Sequence, residues 1–187
     1  MGAIWSHTFT PTEAAALTEL PEKQVRKEIE HQVIEAASPP RLSFAALVYL
    51  RALKLMAMQL SIEDRTRISL RVLEAVRRSR EIDTVEVSEV LALRIGSLVR
   101  DLVERTQRFE SWKQRLVTDP AIMGGEPVFP GSRLTVRRVG GLLDRGEDPR
   151  ALLEDYPKLT AEDMELARLY VRAYPRVGRP RATSSAD

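Results

Sequence analysis

The chain has 187 residues, 43% of them apolar, and a formal net charge of +2, enough for one or two small domains with real cores. The absence of cysteine and the presence of only two histidines, His7 and His31, exclude a disulfide scaffold, thiolate metal sites and a His-based metal cluster, and no cofactor is expected. The longest apolar run, residues 44–50, is far too short to cross a bilayer, and the N-terminus lacks a basic region followed by an apolar core, so a cytoplasmic protein with no membrane partner is expected.

With so small a net charge, any nucleic-acid binding must come from local patches. Residues 1–60 carry six Lys and Arg against six Asp and Glu, and residues 61–116 twelve against ten. Residues 117–175 carry eight against ten, and residues 176–187 three against one. The basic excess is modest in the middle and clear only in the tail.

The first segment with strong local grammar is residues 9–34, FTPTEAAALTELPEKQVRKEIEHQVI. Thr10, Pro11 and Glu13 form the capping box of a short helix. The pattern breaks at Thr18-Glu19-Leu20, and Pro21 with Glu22 opens a second helix with Val25 and Ile29 on one face. Ala14, Ala15 and Leu17 offer a small apolar surface to meet Leu20, Val25 and Ile29. Two short helices joined by a three-residue turn follow the helix-turn-helix plan. The outward face of the second helix carries Lys23, Gln24, Arg26 and Lys27, types suited to phosphates and base edges, and Arg41 joins them from the following loop. The plainer reading is a helical hairpin with a solvated face, and Glu22, Glu28 and Glu30 favour it because they would repel phosphate.

The loop EAASPPR can form a small wing. Ser43 caps the next helix, whose Leu47, Leu50, Leu53 and Leu55 make it a core element. Residues 61–80 form an amphipathic helix with Ile62, Ile68, Leu70, Val72, Leu73 and Val76. Residues 82–87, IDTVEV, are the best strand in the chain. Ser88 is expected to cap a long helix in which Val90, Leu91, Ile95, Leu98, Val99, Leu102 and Val103 recur at helical spacing. Such a face suits core packing, a homodimer seam, or both.

Residues 119–136, DPAIMGGEPVFPGSRLTV, hold three glycines and three prolines. A phosphate-cradling loop is disfavoured: no G-x-x-x-x-G-K-[ST] is present, and Glu126-Pro127 adds negative charge and removes a donor where phosphate would sit. The alternative is a hairpin of Val128-Phe129 and residues 133–136 around Pro130-Gly131. Three short helices follow: residues 136–145 with Val139, Leu142 and Leu143 inside; a helix opened by Asp148-Pro149; and one capped by Thr160 and Asp163. The chain thus reads as mainly α: an N-terminal helix-turn-helix (1–60), central helices with a short strand and possible dimerisation (61–116), a C-terminal β-hairpin plus three helices (117–175) and a flexible basic tail (176–187).

Two resemblances sharpen this. The stretch from residue 9 to the helix after Ser43 resembles the N-terminal helix-turn-helix of MerR-like regulators and of the VapB antitoxin group that carries such a domain, but has Glu19 and Gln32 where those sequences commonly have glycine. Residues 119–175 resemble, nearly end to end, the domain-of-unknown-function family number 433, through D-P, G-G-x-P, G-[ST]-R-[IL]-x-V, an L-x-x-G helix end and Y-P-x-L-[ST]. This resemblance implies a homeodomain-like three-helix fold found in VapB-type antitoxins, often encoded beside a PIN-domain ribonuclease toxin. Gly124, Gly125, Pro127, Pro130 and Gly131 would then shape a structural hairpin, and Arg133 would brace it through carboxylates such as Asp155 or bind phosphate. In the tail, Arg176, Arg179 and Arg181 would pair with the acidic metal-binding centre of the toxin; the plainer reading is disorder.

The expected function is an antitoxin: a homodimer that binds operator DNA to repress its own operon and neutralises a PIN-domain ribonuclease. A stand-alone helix-turn-helix regulator without a toxin is the alternative. Catalysis is not expected. Glu147, Asp148, Glu154 and Asp155 could be imagined in a carboxylate-based hydrolase, but they are better explained as helix starts and solvated faces, and no nucleophile and base accompany them.

Overall fold

The computed structural model describes residues 3–79 and 81–176. It is mainly helical, with two small antiparallel strand pairs. After a short α1 (Ala3–Ser6), β1 (Thr8–Phe9) leads into α2 (Pro11–Thr18), which opens with the expected capping box: Glu13 N donates to Thr10 Oγ1 (3.2 Å), and Thr10 N donates back to Glu13 Oε2 (2.7 Å). A three-residue turn leads to α3 (Glu22–Glu30). Glu19 (φ 59°) and Gln32 (φ 57°) both adopt the left-handed conformation that glycine reaches most cheaply. These are the two positions at which glycine was expected from the resemblance. Glu19 is held there by Arg51 (2.8 Å) and Arg105 (2.7 Å), from two later helices.

The loop after α3 does not form a wing of its own: among the described residues no strand lies between 31 and 41. Instead β2 (Leu42–Ser43) pairs with β1, Phe9 opposite Leu42, so the two ends of the α2–α3 unit are tied together. Ser43 then caps α4 (Phe44–Met56), and Ser61 caps α5 (Ile62–Arg78). Leu47, Leu50 and Leu53 are in the core as expected, whereas Leu55 is 54% exposed at the last turn. On α5, Ile68, Val72 and Val76 are buried; Ile62 and Leu70 are not.

One expectation fails here. Ser88 does not cap a helix: β3 (Thr84–Ser88) turns through Glu89 and Val90 into β4 (Leu91–Arg94), and α6 (Gly96–Arg115) begins only after that hairpin. Leu91 stands four residues before Ile95, a spacing that fits a helix, but pairing with β3 decides for strand. The start of α6 is fixed by the Ile95 and Gly96 amides, which both donate to the Asp83 carbonyl (2.8 and 3.0 Å). Val90, expected on a packed face, is 96% exposed at the hairpin tip.

The C-terminal hairpin is also smaller than expected. Val128 makes isolated bridges to Val117 on one side and Thr135 on the other, and no ladder extends from them. Pro127 and Pro130 bracket Val128-Phe129 and supply no N–H, which stops the pairing at both ends. Three helices follow, α7 (Val136–Asp144), α8 (Pro149–Asp155) and α9 (Ala161–Ala173), capped by Thr135, which was expected in the hairpin strand, and by Asp148 and the Thr160–Asp163 box as the sequence pattern requires. At Gly140 α7 meets α9 so closely that a Cβ would sit 2.2 Å from the Ala167 carbonyl oxygen. Alpha9 also packs on α2 and α6, and the buried apolar residues from Ile4 to Ala173 form one core. Phe109, Trp112, Tyr170 and Tyr174 make its aromatic centre, with ring centroids 4.9–6.3 Å apart. Among the described residues no helix is long and apolar enough to cross a membrane.

Candidate nucleic-acid interface

Alpha3 buries Val25 and Glu28 and half-buries Ile29, which leaves Lys23, Arg26 and Lys27 exposed and Gln24 partly so. Four of the five residues expected to contact DNA therefore lie on the solvent side of one helix. Arg26 is drawn to Glu22 one turn back (2.6 Å). Lys23 and Lys27 enter no ion pair among the described residues. Arg41 is exposed and lies 3.9 Å from Glu13, at the foot of the same unit.

The acidic residues on α3 do not oppose this face as their number suggests. Glu28, expected to repel phosphate, is fully buried. Tyr49 Oη donates to Glu28 Oε2 (2.9 Å), and the Arg65 guanidinium pairs with its other oxygen. Burial, and then the Glu28 charge, push the Tyr49 hydroxyl well above its ordinary range, so it stays a donor. The triad joins α3 to α4 and α5 and neutralises the buried carboxylate where it sits. Its signal was present in the sequence: Val25, Glu28 and Ile29 share one helical face, so Glu28 lies in the apolar stripe. Tyr49 and Arg65 carry no such local signal, because their pairing spans 21 and 37 residues.

A second polar network ties α2 to the chain's last described helix. Tyr174 Oη donates to Glu13 Oε1 (2.7 Å), and Lys113 Nζ donates to Tyr174 Oη (2.8 Å). Burial pushes the Glu13 carboxyl up, but the bonds from Thr10 and Tyr174 and the Lys113 charge outweigh it and leave it below its ordinary value. Both networks brace the α2–turn–α3 unit from behind.

The hairpin residues divide. Gly124 (φ 66°), Gly125 (φ 81°) and Gly131 (φ 66°) occupy the left-handed region, and Pro127 and Pro130 end the pairing, all consistent with a shaping role. Arg133 is exposed and makes no ion pair or side-chain hydrogen bond among the described residues, so bracing through Asp155 is absent. The bracing arginines are instead Arg137, whose Nη1 donates to the Tyr174 carbonyl (2.6 Å), and Arg176, which pairs with Glu126 (2.5 Å). Arg179 and Arg181 lie outside the described residues.

Alpha9 contrasts with α3. Its buried side faces α7 and α2, and its charged side chains are engaged: Arg168 and Arg172 with Asp144, Glu165 and Glu162 with Arg108, Asp163 with the Trp112 indole. The apolar face of α6, expected as a dimer seam, is likewise covered within the protomer, where Ile95, Val99, Leu102, Phe109 and Trp112 are all buried. The large exposed apolar side chains among the described residues lie elsewhere: at the end of α4 and the turn after it, on α5, at the tip of the β3–β4 hairpin, and at Val117 and Met123.

Residues 116–171 match the family described as "Protein of unknown function (DUF433)". The chain is 32% identical over 93 residues to "Uncharacterized protein y4eO" of Sinorhizobium fredii (strain NBRC 101917 / NGR234), an alignment that covers 50% of this chain and 42% of that relative. A solved structure, Rv2018 from Mycobacterium tuberculosis, overlays 86% of this chain and 96% of its own at 18% identity, with a TM-score of 0.31, too low to bear on the fold.

Proposed function

We propose that this chain is the antitoxin of a type II toxin–antitoxin system, and that it binds operator DNA through α2 and α3 arranged as a helix-turn-helix, with α3 as the reading helix. The observation that carries the DNA part is the burial of Glu28. With that carboxylate neutralised inside the protein and Glu22 drawn to Arg26, the outward face of α3 offers Lys23, Gln24, Arg26 and Lys27, and Glu30 alone remains as an unpaired acid on the helix. Two lysines without an ion-pair partner among the described residues suit phosphates, and Gln24 suits an adenine edge. The left-handed backbone at Glu19 supports the same reading, because it supplies the tight turn that the helix-turn-helix plan needs.

Under the homeodomain-like plan that the resemblance implies for residues 119–175, α9 would be the counterpart of a second reading helix. Its packing against α2 argues against that use, so we assign DNA to α3 and a scaffolding and partner-binding role to α7–α9. The toxin part, neutralisation of a PIN-domain ribonuclease by a homodimer, rests on the resemblance of residues 119–175 to the antitoxin-associated family. A stand-alone regulator is the reading that remains if no toxin binds.

Co-expression with the protein encoded next to it tests both parts at once. The proposal expects a stable complex whose ribonuclease is silent until this chain is removed, and which retards a DNA fragment from upstream of its own reading frame. Separate elution with unchanged nuclease activity removes the toxin; failure to retard the fragment removes the operator.

A further inference from the structure

A cleft of about 370 Å³ opens between α2 and the α7–α9 unit. Its floor is apolar, with Ala16 from α2, Leu143 from α7, Leu153 from α8, and Met164 and Leu169 from α9. Its rim is cationic: Arg105, Arg168 and Arg172 face one carboxylate, Glu165. That imbalance is not removed by the neighbours. Arg51 and Arg105 share Glu19, Arg168 and Arg172 share Asp144, and Glu165 itself is engaged by Arg108. Arg168 and Arg172 stay about half exposed, at 50% and 48%. Arg105 also keeps a buried Nε–H with no acceptor among the described residues, and a buried donor without a partner favours any acceptor brought to it.

We propose that this cleft is a docking surface for a segment of a protein partner that presents leucine-like side chains to the floor and carboxylates to the rim. The apolar floor supplies affinity through burial, and the unshared arginine charge selects acidic segments over basic ones. Arginine suits this task because its planar fork can keep Asp144 or Glu19 and still accept a second carboxylate. The surface does not use α3 and does not rest on the DNA reading.

The test is fluorescence anisotropy of the full chain with three labelled helical peptides of equal length: one with leucine on one face and glutamate beside it, one with lysine for glutamate, and one with serine for leucine. The expected result is binding of the leucine–glutamate peptide alone, weakened at least ~tenfold by R168E/R172E and less by Arg168→Gln/Arg172→Gln. Equal binding of the glutamate and lysine peptides by the unaltered chain overturns the proposal and needs no variant that might misfold. So does binding that is insensitive to both double variants in folded protein. Displacement of the peptide by duplex DNA would assign the rim to phosphates, and self-association abolished by R168E/R172E would assign the cleft to a second copy; either result also overturns it.

Discussion

Glu19 sits in the left-handed region on the α2–α3 turn, a conformation that costs a non-glycine residue about 1 kcal/mol or more. Two arginines compensate: hydrogen bonds from Arg105 and then Arg51 hold its carboxyl at about 2, below its usual 4.5. Because the folded-state value is the lower one, this stabilisation is complete above pH 4.5 and is lost as the pH falls toward 2. With the carboxylate half exposed, the effect amounts to about 1 kcal/mol. Urea midpoints measured down that range should therefore fall more steeply for the unaltered chain than for Glu19→Gln. Gly140 is the other decisive residue. In Gly140→Ala the new methyl meets backbone of α9, and the loss should reach about 2 kcal/mol or more, whereas Gly141→Ala, whose Cβ meets only the Arg145 side chain at 3.6 Å, should be neutral or slightly stabilising in thermal melts.

Alpha3 is held by a buried acid where an apolar residue would be usual. Glu28→Gln keeps the shape but leaves the Arg65 guanidinium, 16% exposed, without its counter-charge, and should cost about 3 kcal/mol in urea denaturation. Tyr49→Phe removes one neutral donor from the same carboxylate and should cost about 1–2 kcal/mol. The same element shows what was legible in advance. Thr10, Ser43, Asp148 and Thr160 mark helix starts through their own side chains and are where local pattern puts them, whereas Ser88, with the same local signal, ends a strand. The outward placing of Lys23, Gln24, Arg26 and Lys27 was legible from helical spacing alone, since Val25 and Ile29 fix the buried side. What was not legible depends on distant partners. Leu91 and Ile95 fit one helix until β3 is beside Leu91, the hairpin around Pro130 shrinks because two prolines withhold donors, and Arg133 yields its bracing role to Arg137 and Arg176, residues that only the fold brings near Tyr174 and Glu126.

At the scale of the molecule, the α2–turn–α3 unit does not stand apart from the C-terminal helices. Glu13 reaches Tyr174 across 161 residues of sequence, Arg105 reaches back to Glu19, and α9 packs directly on α2. The exposed face of α3 is thereby presented by a continuous core, and α9 is committed to that core. The central claim is that DNA is bound by α3 and not by α9, and the most direct measurement compares two double variants. Binding of the upstream DNA fragment is followed by fluorescence anisotropy over a series of salt concentrations for the unaltered chain, Lys23→Ala/Lys27→Ala and Arg168→Ala/Arg172→Ala. The account predicts that the lysine pair weakens binding and lowers the dependence of log affinity on log salt by about 2, one for each lost phosphate contact, while the arginine pair changes neither. Loss of affinity and salt dependence on changing Arg168 and Arg172, with no effect from Lys23 and Lys27, would contradict it.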